Sequence, residues 1–163
     1  YAELDQKIEF LVNGKFTGET VVTLKNEGAA EVDHVVQQSI TKHEKFVLLF
    51  GAHWCDWYVK DRRPEMARQC AAAPRNLESA LKQADVKGMG VFTRMWTSEK
   101  DLLSFSEKNG ISFPLVIDTH NNQFSRFQID QVPTAIVFEG GQEVFRVTDF
   151  FDSSLLEKAL GIR

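Results

Sequence analysis

Apolar and polar positions follow one another along the first third of the chain in three distinct patterns. Residues 7–24 are predicted to form an N-terminal hairpin, since apolar runs flank the two-residue turn signal Asn13-Gly14. Residues 28–45 carry valine and isoleucine at helical spacing and are predicted to form a helix. Residues 46–50 are apolar throughout, which is typical of a strand buried on both faces.

Helices and strands alternate more regularly in the rest of the chain. The pattern predicts helices from Cys55, over 74–84, from Thr97 or Ser98 to Gly110, over 124–129 and after Asp152, and strands over 86–93, 113–117, 135–138 and 144–147. Strands that alternate with helices and end in a hairpin plus a helix indicate an α/β sheet covered on both faces. We therefore expect a single domain over residues 1–163, with a hairpin extension at 1–27 and a core at 28–163.

The predicted helix that begins at Cys55 meets a proline nine residues later. Pro64 either kinks this helix or begins a second helical segment, because proline suits the first turn of a helix but not its interior. Asp61 is placed to cap such a second segment.

Composition and charge narrow the classes of function. The 163 residues are 43% hydrophobic, which is enough to bury a core without a disulfide scaffold. The net charge of −4 arises from dispersed acids and bases, so we expect neither nucleic acid nor an anionic membrane surface as a partner. No apolar stretch approaches the roughly 20 residues that span a bilayer. The histidines are scattered, and we expect no metal and no other cofactor.

Candidate chemistry centres on one cysteine at the end of the predicted buried strand. Residues 45–58 read K-F-V-L-L-F-G-A-H-W-C-D-W-Y, and Cys55 stands where the strand gives way to a helix. A dithiol oxidoreductase would carry its second cysteine at position 58, where this chain has Tyr58. Because the second thiol of a Cys-x-x-Cys pair resolves the mixed disulfide formed by the first, the usual two-thiol cycle is not available within this turn.

Two motifs far apart in the chain agree in order and context with one known family. The apolar strand with G-A-H-W-C, followed by a helix with a proline and then by V-P-T-A-I-V-F-E-G-G-Q-E-V-F-R-V and a last helix, resembles the thioredoxin superfamily. The stretches V-K-G-M-G-V-F-T and S-E-K-D-L-L-S-F-S-E-K-N-G-I-S-F-P-L-V-I-D resemble its TlpA-like/ResA-like branch of thiol–disulfide oxidoreductases. The resemblance covers roughly residues 45–160.

This resemblance implies a thioredoxin-like fold, with a central mixed β-sheet flanked by helices and an N-terminal hairpin. It also implies that the Val132–Pro133 bond is cis and lies beside Cys55, and that the loop formed by Val132, Pro133 and Thr134 binds substrate. In this interpretation the Val132 backbone pairs with an extended substrate segment as an added strand would. The branch further implies a periplasmic or otherwise extracytoplasmic location.

The two cysteines admit more than one interpretation. A helix N-terminus at Cys55 favours the thiolate, which is the nucleophile of disulfide exchange; alternatively Cys55 is a relic kept for packing. An unbroken helix would hold Cys70 about 22 Å away, too far for a disulfide, which needs Cα atoms within about 7 Å. A break near Pro64 would bring Cys70 closer. Cys70 is therefore either a resolving thiol or a buried structural one.

Polar and aromatic neighbours of Cys55 are the remaining candidates. In the family an acidic residue at the offset of Asp61 helps proton transfer, but here the helix proline is displaced by one residue, so a helix cap or an ion pair with a nearby arginine is an equal alternative. His53 either stabilises a thiolate or only shapes the turn. Asp56 and Trp57 occupy the variable turn positions beside Trp54 and Cys55, and Trp57 is expected to offer an exposed aromatic contact.

Three functions remain open on the sequence. The first is a thiol–disulfide oxidoreductase of the cell envelope that acts on a protein or a small thiol or disulfide through Cys55, resolved by an external thiol or by Cys70. The second is a non-catalytic module that binds a partner through Trp57 and the Pro133 loop. The third is a thiol peroxidase on the same scaffold, although the residues before Cys55 lack the proline and threonine typical of peroxiredoxins.

Overall fold

A computed structural model describes residues 29–162 as a five-stranded sheet with six helices. The strands are β1 (Lys45–Gly51), β2 (Lys87–Thr93), β3 (Leu115–Asp118), β4 (Thr134–Glu139) and β5 (Gln142–Val147). The helices are α1 (Ala29–Lys42), α2 (Cys55–Tyr58), α3 (Pro64–Ala84), α4 (Glu99–Asn109), α5 (Asn122–Arg126) and α6 (Ser153–Leu160). The predicted hairpin over residues 7–24 lies outside the described residues.

The sheet has the strand order β3-β2-β1-β4-β5 and mixed strand directions. β1 runs parallel to β2, and β2 runs parallel to β3. β4 runs antiparallel to β1 and to β5, the two strands beside it. The central strand β1 is the apolar run predicted from the sequence, and its residues 46–51 are all buried. The expected α/β architecture, with a mixed sheet flanked by helices, is confirmed.

The two faces of β1 pack against different helices, which explains its continuous apolar sequence. Val47 and Leu49 belong to a core shared with α3, α4 and α6. Leu48 and Phe50 belong to the opposite core, which α1 covers and against which Phe124 of α5 packs. Burying one such side chain contributes roughly 1.5–3 kcal/mol, so both faces of this strand help to fix the register of the sheet.

Several helix boundaries match the signals in the sequence. Ser98 caps α4 with a reciprocal capping box: its hydroxyl accepts a hydrogen bond from the Asp101 N–H at 3.2 Å, and its own N–H donates to Asp101 Oδ2 at 2.8 Å. Gly110 ends that helix in the left-handed region at φ 63°. Asp152 caps α6, as predicted.

Between Cys55 and residue 84, Pro64 begins a second helical segment, which is one of the two predicted alternatives, and the helix boundaries on either side differ from the prediction. The helix that begins at Cys55 ends after a single turn at Tyr58. Pro64 begins the next helix, and this helix runs without interruption through Pro74, so the predicted helix start at Pro74 is wrong. Pro74 is itself buried, and the apolar stripe of α3 continues on both sides of it, since Cys70 and Leu77 are buried too. Packing of this stripe compensates for the backbone hydrogen bond that proline cannot make.

Candidate functional site

The site is built at the end of β1, where Cys55 and Cys70 form a disulfide. Beyond Gly51 the chain turns, and the Cys55 N–H donates to the Ala52 carbonyl oxygen at 3.2 Å to begin α2. The two sulfur atoms lie 1.95 Å apart and the two Cα atoms 5.8 Å apart. The chain has two cysteines, so neither thiol is free. The possibility that a break near Pro64 brings Cys70 close enough to pair with Cys55 is therefore the one observed.

A break in the helical path makes this pairing possible. The backbone N–H groups of Arg62 and Arg63 both donate to the Val59 carbonyl oxygen, at 3.2 and 2.7 Å, and this turn separates α2 from α3. Pro64 is the first residue of α3 and fits there because that position needs no N–H donor. Cys70 thereby lies in the second turn of a new helix that faces back towards Cys55.

The disulfide is enclosed by apolar side chains. Cys55 is 0% exposed and Cys70 is 7% exposed. Their neighbours in this small core are Ala52, Trp54, Val59, Met66 and Val132. An incoming thiolate reaches the sulfur of the fully enclosed Cys55 only after one of these side chains has moved.

The proline loop lies against the disulfide, as the family resemblance implies. The Val132–Pro133 peptide bond is cis. Val132 packs against the small core that holds the two cysteines, while Pro133 and Thr134 are buried. The Thr134 hydroxyl donates to the Gln131 carbonyl oxygen at 2.7 Å, which fixes the turn into β4.

An open groove with a volume of about 940 Å³ passes beside the disulfide. Trp54, Met66, Val132 and Pro133 contribute to its walls, and three of these side chains also touch the buried cysteine core. The groove therefore places a bound molecule next to the side chains that cover the disulfide.

Three exposed aromatic side chains gather around Trp54 beside this groove. The ring of Trp96 lies 5.6 Å from the Trp54 ring and 5.1 Å from the Tyr58 ring, and the Trp57 and Tyr58 rings are 6.0 Å apart. Trp57 is 55% exposed, Tyr58 57% and Trp96 62%. The expected exposure of Trp57 is thus observed. The loop after β2 brings Trp96 here, and no pattern in the sequence predicts this position.

Two long-range hydrogen bonds hold the Trp96 loop in place. Trp54 Nε1 donates to the Met95 carbonyl oxygen at 2.9 Å, and His53 Nε2 lies 2.8 Å from the Trp96 carbonyl oxygen. Trp96 itself has φ 53°, in the left-handed region that bulky residues rarely adopt. These contacts make Trp54 and His53 supports for this loop.

His53 also pairs with an acidic residue at the start of α4. Its Nε2 lies 3.7 Å from Asp101 Oδ2. The hydrogen bond from the Ser98 backbone N–H holds the pKa of Asp101 below its ordinary value, with smaller contributions from the Ser98 hydroxyl and from the nearby His53 charge. Because Nε2 is engaged by Trp96 and Asp101, the structure gives His53 a positioning role in the loop; among residues 29–162 its ring forms no hydrogen bond with the Cys55 sulfur.

The two acidic candidates near Cys55 lie in different surroundings. Asp56 forms an ion pair with Lys108 at 3.3 Å, which ties α2 to the end of α4. Asp61 is exposed in the turn between α2 and α3. It does not cap α3, because Arg63 holds the capping position without a side-chain hydrogen bond. Within the described part of the chain Asp61 forms no ion pair, so the predicted contact with a neighbouring arginine is absent there.

Residues 29–162 contain no helix that is long and apolar enough to cross a membrane. In the same range, no group of three or more His, Cys, Asp or Glu side chains is arranged to hold a metal ion.

Several solved structures have a similar backbone. A secreted Mycobacterium tuberculosis disulfide oxidoreductase homologous to E. coli DsbE matches with a TM-score of 0.57 and 18% identity, covering 72% of this chain and 81% of its own. MTB DsbF matches with a TM-score of 0.56 and 18% identity, covering 72% and 79%. StoA from Bacillus subtilis matches with a TM-score of 0.50 and 19% identity, covering 71% and 81%.

Comparison by sequence gives no corresponding relative: no protein-family model matches the chain, and no curated protein matches it. At identities below one fifth, the structural likeness establishes the fold alone. The sheet order, the cysteine at the end of β1 and the proline loop beside it agree with that likeness, and the chain has a thioredoxin-like fold.

Proposed function

We propose that the protein is a thiol–disulfide oxidoreductase of the cell envelope in which Cys55 and Cys70 form the redox pair. One observation carries the proposal: the cysteine predicted as nucleophile is joined to the second cysteine of the chain directly beside the Val132–Pro133 loop. Cys70 is thus the resolving thiol, which is the role that a cysteine at position 58 would have in a Cys-x-x-Cys turn. Of the two resolving thiols that the sequence left open, this geometry favours Cys70 over an external one.

The reaction proceeds by two exchanges. In the reduced protein the Cys55 thiolate attacks a substrate disulfide, forms a mixed disulfide and releases one substrate thiolate, which takes up a proton. The Cys70 thiolate then attacks the Cys55 sulfur, closes the Cys55–Cys70 bond and releases the second substrate thiolate. The substrate gains two electrons and two protons, and the protein loses the same number. The reverse sequence oxidises a substrate dithiol, and neither direction needs a cofactor.

The side chains around the disulfide determine which molecules can exchange with it. Trp54, Met66 and Val132 exclude water from the sulfur atoms, so exchange requires a partner in the groove to displace one of them. An extended segment that pairs with the Val132 backbone would be held next to this cover. Such a partner displaces the side chains that cover the disulfide and brings its own sulfur atom next to Cys55. This arrangement favours protein disulfides as substrates over free small thiols.

Helix polarity contributes less to the reactivity of Cys55 than the sequence suggested. α2 has four residues, so its dipole is that of a single turn. Proximity of the two cysteines, at a Cα separation of 5.8 Å, is the larger contribution, because it makes the resolving step intramolecular.

An extracytoplasmic location is part of the same proposal. Disulfides persist in oxidising compartments and are rare where glutathione and thioredoxin keep thiols reduced. A Cys55–Cys70 bond in the folded protein is consistent with the envelope, which the family resemblance also implies.

A partner-binding module with a structural disulfide is the second candidate. The observation in its favour is that the Cys55 side chain is fully enclosed, while aromatic rings are exposed beside it. In that case the disulfide fixes α2 on α3 and Trp57, Tyr58 and Trp96 form the contact surface. The third hypothesis, a thiol peroxidase, gains no observation of its own from the described residues.

Trapping of the mixed disulfide tests the proposal. The reduced Cys70→Ser variant should form a stable mixed disulfide at Cys55 with a protein disulfide such as that of insulin, because its resolving thiol is absent. The wild-type chain should catalyse insulin reduction by dithiothreitol, and the double variant Cys55→Ser/Cys70→Ser should not. Absence of both trapping and catalysis would favour the binding module, and consumption of hydrogen peroxide without insulin reduction would favour the peroxidase.

A further inference from the structure

The charged side chains that line the groove fall into two classes, partnered and unpartnered. Two of its three carboxylates interact within the fold. Glu65 forms an ion pair with Arg68. Asp149 accepts hydrogen bonds from the Gln69 side-chain amide and the Phe151 N–H, each at 3.0 Å.

The third groove carboxylate, Asp130, forms no ion pair and no hydrogen bond within residues 29–162; nearby Arg146 of β5 is paired with Glu143. Two of the three groove acids therefore have a counter-charge or hydrogen-bond donor that the fold itself supplies, and one does not.

The two basic side chains of the groove have no such partner. Arg62 and Arg63 line the groove together with Val132 and Pro133, and both are exposed. Within residues 29–162 neither guanidinium forms an ion pair or a hydrogen bond, although their backbone N–H groups close the turn before α3. They also stand at the start of the 21-residue helix α3, whose first turn has no side-chain cap and adds to the positive potential there.

Resting on the proposed function, we infer that the groove selects an acidic, extended polypeptide as the disulfide-bearing substrate, and that Arg62 and Arg63 determine this specificity. The two guanidiniums would pair with carboxylates next to the substrate cysteine while the segment lies along Val132. A guanidinium presents a planar set of donors that matches a carboxylate, and this geometry suits recognition beyond simple charge attraction. The groove volume of about 940 Å³ lies at the upper end of the roughly 300–1,000 Å³ typical of small-molecule sites, which accommodates a peptide of several residues.

A peptide series tests this inference. The probes are nine-residue peptides with a central cysteine in mixed disulfide with 2-mercaptoethanol, flanked at the same four positions by Glu, Gln or Lys. The reduced protein transfers two electrons to the disulfide of each probe. This closes the Cys55–Cys70 bond and releases the peptide thiol and 2-mercaptoethanol. We expect the Glu peptide to react about tenfold faster than the Gln peptide at low ionic strength and the Lys peptide to react slowest, with the differences shrinking in high salt.

Matched variants show whether the two arginines are responsible. The double variant Arg62→Gln/Arg63→Gln should lose the preference for the Glu peptide. The control Arg75→Gln removes one positive charge from the same helix, but its guanidinium bonds to Asn109 and neither residue lines the groove, so it should keep the preference. Retention of the preference in the double variant, or no preference in the wild type, would overturn the inference. The inference would also be overturned if oxidised glutathione reacted as fast as the Glu peptide, because oxidised glutathione carries negative charge but has no extended chain.

A binding measurement separates this inference from the proposed function. Versions of the peptides with serine in place of cysteine cannot exchange, and their binding to the oxidised protein is read from the change in tryptophan fluorescence of a Trp57→Phe/Trp96→Phe variant, which keeps only Trp54 in the groove wall. Tighter binding of the Glu peptide than of the Lys peptide, abolished by the double variant, supports the inference even where no exchange occurs. Exchange at equal rates with all three peptides would leave the proposed function standing and overturn the inference.

Discussion

Cys55 and Cys70 are separated by 15 residues in the chain, yet their Cα atoms lie 5.8 Å apart and their sulfur atoms are bonded. A continuous helix would place them about 22 Å apart. The turn closed on the Val59 carbonyl oxygen reverses the direction between α2 and α3, and Pro64 restarts the helix so that Cys70 faces Cys55. The chain thereby has a redox pair without the Cys-x-x-Cys spacing.

The first prediction concerns the contribution of this bond to stability. Closing a loop of about 15 residues restricts the unfolded chain and is worth up to about 3 kcal/mol. The double variant Cys55→Ser/Cys70→Ser should therefore have a free energy of unfolding lower by up to that amount, measured by urea denaturation. The oxidised wild type should take up no maleimide without reductant and two equivalents after reduction. Labelling of either cysteine in the untreated folded protein would contradict the pairing.

The second prediction concerns the position where a Cys-x-x-Cys turn would have its second thiol. Tyr58 faces solvent and contacts the Trp54 and Trp96 rings, whereas Cys55 points into the small core. The variant Tyr58→Cys should therefore carry one exposed thiol that reacts with maleimide, while the Cys55–Cys70 bond stays intact. Trp57→Cys, at a similarly exposed position, is the control and should label in the same way. Peptide mapping that finds a bond between Cys55 and the introduced thiol would show that the turn rearranges.

The third prediction concerns the pH dependence of the α4 capping box. The pKa of Asp101 lies below its ordinary value in the folded protein, chiefly because its carboxylate accepts the Ser98 N–H. A carboxyl group with a lowered folded pKa stabilises the protein fully above its unfolded pKa, and the contribution is lost as the pH falls through the folded pKa. Asp101→Asn should thus lower the free energy of unfolding by about 1 kcal/mol near neutral pH and by less below the ordinary value of 3.8.

Urea unfolding of the wild type and the Asp101→Asn variant, near neutral pH and below pH 3.8, checks this dependence. Ser98→Ala, which removes the other half of the box, should also destabilise the protein near neutral pH. An Asp101→Asn effect that is the same at both pH values would contradict the assignment.

The fourth prediction concerns the end of α3. Asp85 adopts φ 55° and ψ 46°, in the left-handed region where glycine is at no disadvantage. Asp85→Gly should raise the free energy of unfolding by about 0.5 kcal/mol, and Asp85→Ala, the control, should lower it. Thermal unfolding of the two variants under identical conditions checks the difference. A lower melting temperature for the glycine variant would contradict this account of the helix end.

Elements set by local pattern could be predicted from the sequence. The apolar run in β1 is buried because helices cover both faces of the sheet, and Ser98 and Gly110 bound α4 because each satisfies backbone groups at its own helix end. These signals depend on residues close together in the chain. The α/β class and the position of Cys55 directly after the buried strand β1 followed from them, whereas the mixed sheet was implied by the family resemblance.

The details of the site could not be predicted in this way, because they depend on contacts between distant residues. The 59–63 turn contains no glycine, and the pairing it permits depends on how α3 packs. The bond from His53 to the Trp96 carbonyl oxygen spans 43 residues, and no local pattern indicates it. Pro74 is a helix breaker by its chemistry, but packing of α3 against the sheet keeps it inside a helix.

The rate at which a dithiol reduces the Cys55–Cys70 bond in the folded protein tests the central claim most directly. The rate is measured with dithiothreitol near neutral pH, in the native protein and in the protein unfolded by urea. If the bond is the redox pair of an oxidoreductase, the native protein should be reduced much faster than it unfolds, because a molecule in the groove can displace the side chains that cover the sulfur atoms. Reduction that occurs only as fast as the native protein unfolds would contradict this account and identify the bond as structural.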